Sequence, residues 1–202
     1  MELGVTFEDV SDPKRKSGAT YADLEALPEN MVGQLIGGEL IAFPRPAIRH
    51  AKAAGAIYLA LGNPFHLGVG GPGGWWFYFE PELHFGEDVL VPDLAGWRRD
   101  RHAEPDGPWM TQAPEWICEV LSPSTSKVDR ELKPPRYARQ GVEHLWMVDP
   151  RERSLEVSRR SERGWEQVAK HSGERRVRAE PFDSVELDLA LLWSSEPTGD
   201  GR

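Results

Sequence analysis

The chain has 202 residues, with 24 lysines and arginines against 33 aspartates and glutamates, a formal charge of −9, and 39 % of its residues are hydrophobic. That length fits one folded domain with a core of its own. No run approaches the roughly 18 consecutive apolar residues of a membrane span, and the start, MELGVTFEDV, lacks the basic and apolar segments of a secretory leader. The expectation is a cytoplasmic protein with no membrane partner. A single cysteine, Cys118, excludes an internal disulfide and a thiolate zinc site. The acidic balance argues against a protein that grips nucleic acid chiefly through a broad basic face.

Residues 1–18 and 194–202 mix charged residues with Gly and Pro without an apolar period, and read as mobile tails around a single domain, 19–193. Thr20 and Asp23, with Leu24 and Leu27 beyond, are the cap and apolar side of a short helix that Pro28 stops. In QLIGGELIAF, residues 34–43, two apolar arms flank Gly37 and Gly38, the pattern of a tight hairpin with Glu39 on its second arm. His50, Ala54, Ile57 and Leu61 share one stripe of a helix over 47–61, with His50 at the edge of the buried face. The glycine-rich stretch 68–74 is loop, and WWFYFE, 75–80, is a strand.

DVLVPDLAGW, residues 88–97, is a β-rich run in which Pro92 demands an edge, a bulge or a strand end, so Asp93 stands beside an irregularity. In EWICEVL, residues 115–121, Trp116, Cys118 and Val120 share one face while Ile117, Glu119 and Leu121 share the other. The run SPSTS, 122–126, is a turn. Pro134 and Pro135 permit a helix only from its first turn, through Tyr137 to Gln140 and the stop at Gly141, with Lys133 at its entrance. HLWMV, 144–148, is a buried strand, and 154–159 with 165–170 form a final hairpin. The pattern predicts an α/β fold: a mixed central β-sheet flanked by helices, with extra hairpins.

Three acids sit in or beside apolar strands: Glu39, Asp93 and Glu119. Asp93 and Glu119 lie at the ends of consecutive strands, so adjacent pairing sets their carboxylates side by side. Two carboxylates about 4 Å apart repel by roughly 4 kcal/mol at an effective dielectric near 20, so converging acids want a cation. Hard oxygen donors of this kind suit Mg²⁺ or Mn²⁺, and the chemistry that follows is metal-assisted hydrolysis of a phosphodiester. A nearby ammonium would stabilise the charge that develops.

Pro92-Asp93 followed by Glu119-Val120-Leu121 resembles the PD-(D/E)XK nuclease core, with Leu121 where that motif has its lysine. More of the chain is similar to one bacterial branch of that superfamily, the Uma-type restriction endonucleases. The matching segments are Thr20-Tyr21, Gly38-Glu39-Leu40, His50, Pro92-Asp93, EVLSPST from Glu119, Asp129-Arg130, Lys133, Tyr137-Ala138, Gly141-Val142 and Val148-Asp149-Pro150. In that branch the catalytic lysine has moved to the following helix, which makes Lys133 its counterpart. The resemblance implies a restriction-endonuclease-like core and a homodimer that cuts DNA. It implies Asp93, Glu119 and the Val120 carbonyl as metal ligands, Lys133 as the aid to water attack, and Glu39 as an auxiliary acid. His50, Arg130 and Tyr137 are the candidate substrate contacts. Gln34 and Gly37 stand where the family commonly has acids.

Two other functions compete: a nuclease core retired to an interaction module, and a hydrolase of another phosphate ester using the same metal site. A Ser124 to Lys127 match to the acyl-enzyme SxxK pattern has no partner motif. The six histidines include no i, i+4 pair of the kind that binds zinc on a helix.

Overall fold

The computed structural model describes residues 13–193. In chain order its elements are β1 (Lys14–Ser17), α1 (Tyr21–Glu25), β2 (Met31–Ile36), β3 (Glu39–Pro44), α2 (Ile48–Leu61), β4 (Trp75–Phe79), β5 (Leu83–Phe85), β6 (Asp88–Leu90), β7 (Leu94–Arg98), β8 (Trp116–Val120), α3 (Lys133–Gln140), β9 (His144–Asp149), β10 (Ser154–Ser161), β11 (Gly164–Ser172), β12 (Arg176–Val177) and β13 (Leu187–Asp188). Single π-helical turns cover Gly62–His66 and Val128–Leu132, and a 3₁₀ turn covers Leu189–Leu192.

Six strands form a mixed sheet in the order β11-β10-β9-β8-β7-β4, in which β8 and β9 run parallel and the other neighbours antiparallel. A second sheet, β1-β3-β2-β6-β5, is antiparallel throughout, and β12 pairs with β13. Alternation in the central strands explains the layering. Trp116, Cys118 and Val120 point to one side, where α2 contributes Ala53, Ile57 and Leu61 and the C-terminal segment contributes Phe182 and Leu189. Ile117 and Leu121 point to the other, against Ile36, Ile41 and Phe43 of the second sheet and Tyr137 of α3. Glu119 shares that second face and is therefore sealed between the two sheets.

Thr20 and Asp23 form the expected capping box of α1. Gly37 and Gly38, with φ of +63° and +76°, make the turn that joins β2 to β3, a backbone that side-chain-bearing residues resist. The helix over 47–61, the strand at 75 and the strands 144–149 and 154–172 also stand where the pattern puts them.

Two expectations are corrected and two are sharpened. Residues 14–17 are not tail: they pair with β3 as an edge strand, while residues 1–12 and 194–202 lie outside the described residues. The first helix ends at Glu25, three residues before Pro28. Of the edge, bulge or strand end that Pro92 demands, the structure has the strand end: the chain crosses at Val91-Pro92-Asp93 from β6 in one sheet to β7 in the other. Pro134 and Pro135 do open α3, but the chain reaches them through the π turn, whose Lys133 N–H bonds back to the Val128 carbonyl. No helix among the described residues is long and apolar enough to cross a membrane.

Candidate functional site

The crossing between the sheets sets the site. Asp93 follows Pro92 and precedes β7, whose Leu94 pairs with Cys118 of β8, so Asp93 faces the end of β8. Its Oδ2 accepts the Val120 N–H at 2.6 Å, and its Oδ1 lies 3.0 Å from His50 Nε2, brought in by the first turn of α2. Burial lowers the pKa of His50, but the hydrogen bond and charge of Asp93 outweigh it and raise the value above that of ordinary histidine.

One layer deeper, Glu119 is 1 % exposed with both oxygens engaged: Oε2 takes a hydrogen bond from Lys133 Nζ at 3.0 Å, and Oε1 takes one from the Tyr137 hydroxyl at 2.6 Å. The Lys133 ammonium has two further acceptors, Asp129 Oδ1 at 2.9 Å and the Val91 carbonyl at 3.1 Å. Its three N–H groups are thus all accounted for. Burial works against the charge on Lys133, yet Asp129, Glu119 and Asp93 together hold its pKa well above the usual lysine value. For Glu119, burial dominates: Lys133 pulls the carboxyl down, but desolvation with Asp129 and Asp93 nearby pushes it up to about 8. One ammonium serves three carboxylates, and the least solvated of them takes up a proton most readily.

These groups open onto a cleft of about 320 Å³ whose wall includes Asp93, Asp129, Lys133, His50, Arg45 and Ser124. Ser122, Ser124 and Thr125 link their hydroxyls along one side, with Ser122 Oγ 3.1 Å from Ser124 Oγ and 2.9 Å from Thr125 Oγ1. Asp93, Glu119, Lys133, His50 and Tyr137 are therefore brought together. Glu39 is not: its carboxylate meets Arg15 at 2.6 Å, outside the cleft wall. Arg130 points away, with Nη1 2.9 Å from Glu156 Oε2 on β10. Tyr137 is fully buried, and its hydroxyl is engaged with Glu119 beneath the cleft wall. Gln34 uses Oε1 to accept the Val91 N–H at 3.0 Å and so steadies the crossing that carries Asp93.

Asp129 has no individual role in the sequence reading although it is buried and faces the same ammonium. The i, i+4 spacing of Asp129 and Lys133 was the available signal. The serine and threonine hydroxyls and Arg45 are likewise cleft groups that pattern alone did not single out.

Residues 19–191 match the family model Uma2, described as "Putative restriction endonuclease". The chain belongs to this family. A crystal structure described as "a putative nuclease belonging to DUF820" from Anabaena variabilis is similar in fold, with a TM-score of 0.64 at 22 % identity over 86 % of this chain and 97 % of the other. No curated protein matches. The nuclease-like core with its mixed sheet, flanking helices and added hairpins is thus the fold of a Uma2 protein.

The family suggests metal dependence, and the donor chemistry can be tested against that. Asp93 and Asp129 offer hard carboxylate oxygens at the cleft wall, the donor type that suits a hard divalent cation. Among the described residues no group of three or more His, Cys, Asp or Glu side chains is arranged to hold a metal ion. The arrangement fits an ion of the Mg²⁺ kind, which keeps most of its water and needs only one or two carboxylates, and not a closed protein cage.

Proposed function

We propose that this Uma2 protein is a Mg²⁺- or Mn²⁺-dependent endonuclease that hydrolyses DNA phosphodiester bonds by water attack. The observation that supports this reading is Asp93 and Lys133 on one cleft wall with Glu119 bound to Lys133 directly behind it, in a chain of this family. In this reading Asp93 is the ligand at the cleft wall, the Val120 carbonyl ends the neighbouring strand, and Glu119 contributes from the layer beneath by giving up part of its bonding to Lys133 or Tyr137. A bound divalent cation would lower the pKa of a water and neutralise charge developing on the phosphate.

The chain's own residues supply the rest. Lys133 is held charged by three carboxylates, so it acts as a fixed positive field and not as the base. His50 keeps Asp93 oriented through its Nε2 contact. Arg45 and the hydroxyls of Ser124 and Thr125 line the wall where a phosphate backbone would lie.

The test is incubation of purified protein with supercoiled plasmid, single-stranded DNA, RNA and nucleotides in Mg²⁺ or Mn²⁺, beside Asp93→Asn and Lys133→Gln. Plasmid cleavage that falls by roughly 10²- to 10³-fold in both variants is expected, the usual size of losing one electrostatic group of an active site. Binding without cleavage would favour the interaction module, turnover of nucleotides alone the other hydrolase, and variants as active as the parent would end the assignment of these residues.

A further inference from the structure

Lys133 opens α3, and the helical turns on either side of it decide which neighbours share its buried face. In an α-helix, residues four apart are offset by about 40° around the axis and residues eight apart by about 80°. A π turn winds less per residue, and the one at Val128–Leu132 contains Asp129 and runs up to Lys133, which narrows that offset. Asp129, Lys133 and Tyr137 consequently face one buried cluster, while Arg130 and Glu131 are turned outward and exposed.

We propose that Asp129 is a positioning residue of this site, which fixes the Lys133 ammonium through a charged hydrogen bond reached from the preceding π turn. The inference rests on the nuclease reading for its catalytic consequence, but its structural content stands apart from it. The ammonium is gripped by Asp129 Oδ1 at 2.9 Å, Glu119 Oε2 at 3.0 Å and the Val91 carbonyl at 3.1 Å. Glu119 comes from β8 and Val91 from the crossing, so each is set by the sheets. Asp129 is the only one of the three on the same helical stretch as Lys133, and the bond between them runs from the π turn to α3. Without it the lysine stem, with its several rotatable bonds, is anchored to the sheets alone.

The experiment reads the ammonium directly by ¹H–¹⁵N correlation of lysine side chains, beside cleavage kinetics. Wild type is expected to show a slowly exchanging ammonium signal that is missing from Lys133→Gln. In Asp129→Ala its exchange should quicken by about tenfold or more, the scale of one charged hydrogen bond. Asp129→Asn, which keeps the shape and an acceptor but drops the charge, should fall between, and it decides the matter against wild type if the alanine variant does not fold. In cleavage, kcat should fall in the same order with KM unchanged. No protected signal in wild type, or equal exchange in wild type and Asp129→Asn, would overturn the proposal. A protein that cuts nothing, yet shows the ordered exchange rates, would overturn the nuclease reading and leave the positioning role standing.

Discussion

Lys133 and Glu119 pair where water cannot reach, and a buried pair of this kind is far more sensitive to losing one member than to losing both. Lys133→Met leaves Glu119 and Asp129 without their shared cation, and unfolding in urea, followed through the buried Trp116 and Trp146, should show a loss of ~3–5 kcal/mol. Adding Glu119→Leu should recover at least ~1 kcal/mol, because it removes the acid with the least access to solvent. A double variant weaker than Lys133→Met alone would show that the pair is not the coupled unit described. The meeting of Asp93 with the end of β8 was legible in the sequence, since two apolar strands with acids at their ends pair in only a few ways. The Glu119–Tyr137 bond was not, because a hydroxyl eighteen positions away carries no periodic signal. Glu39 misled for a related reason: a carboxylate at a hairpin turn looks the same in sequence whether the turn faces the cleft or, as here, Arg15.

Elements obey the same division between what a period encodes and what packing decides. The 3.6 and 2.0 periods mark α2, β8 and β9 plainly, since each buries one face or both. They cannot mark a π turn, which inserts one residue into the helical register, nor the passage of a β-rich run from one sheet into another at Pro92. The inserted residue gives the element its test. Glu131 is exposed and has no contact that the site uses, so its deletion shortens the π turn toward an α turn while sparing α3 beyond it. Asp129 then stands three residues before Lys133 instead of four, still on the near side of the helix but out of the alignment that gives its 2.9 Å contact. The deletion variant is expected to keep the far-ultraviolet dichroism of the parent and lose the slow exchange of the Lys133 ammonium. Retention of that slow exchange would mean that the register of this turn does not govern the lysine.

For the whole molecule, the difficulty is charge: a chain of net −9 must approach a polyanion if DNA is its substrate. Most basic side chains around the site are already neutralised. Arg136 Nε lies 2.9 Å from Asp88 Oδ2, Arg130 is bound to Glu156, and Lys133 is enclosed, which leaves Arg45, with His50 beside Asp93, as the cationic groups of the cleft wall among the described residues. Such a surface makes few phosphate contacts. With a contribution of roughly −0.9 to the slope of log affinity against log salt for each contact, a slope near −1 to −2 is expected, far shallower than for a protein with a basic face. The charge of Asp93 and Asp129 on the cleft wall would then have to be offset by a divalent ion before a phosphate could settle beside it. Anisotropy of a fluorescent duplex should accordingly show binding in Ca²⁺ that weakens by about tenfold or more when EDTA is added, and Asp93→Asn should reduce that dependence on the ion. A steep salt slope, or affinity indifferent to chelation, would mean that DNA is held by some surface other than this cleft, and the proposed chemistry would lose its place in the molecule.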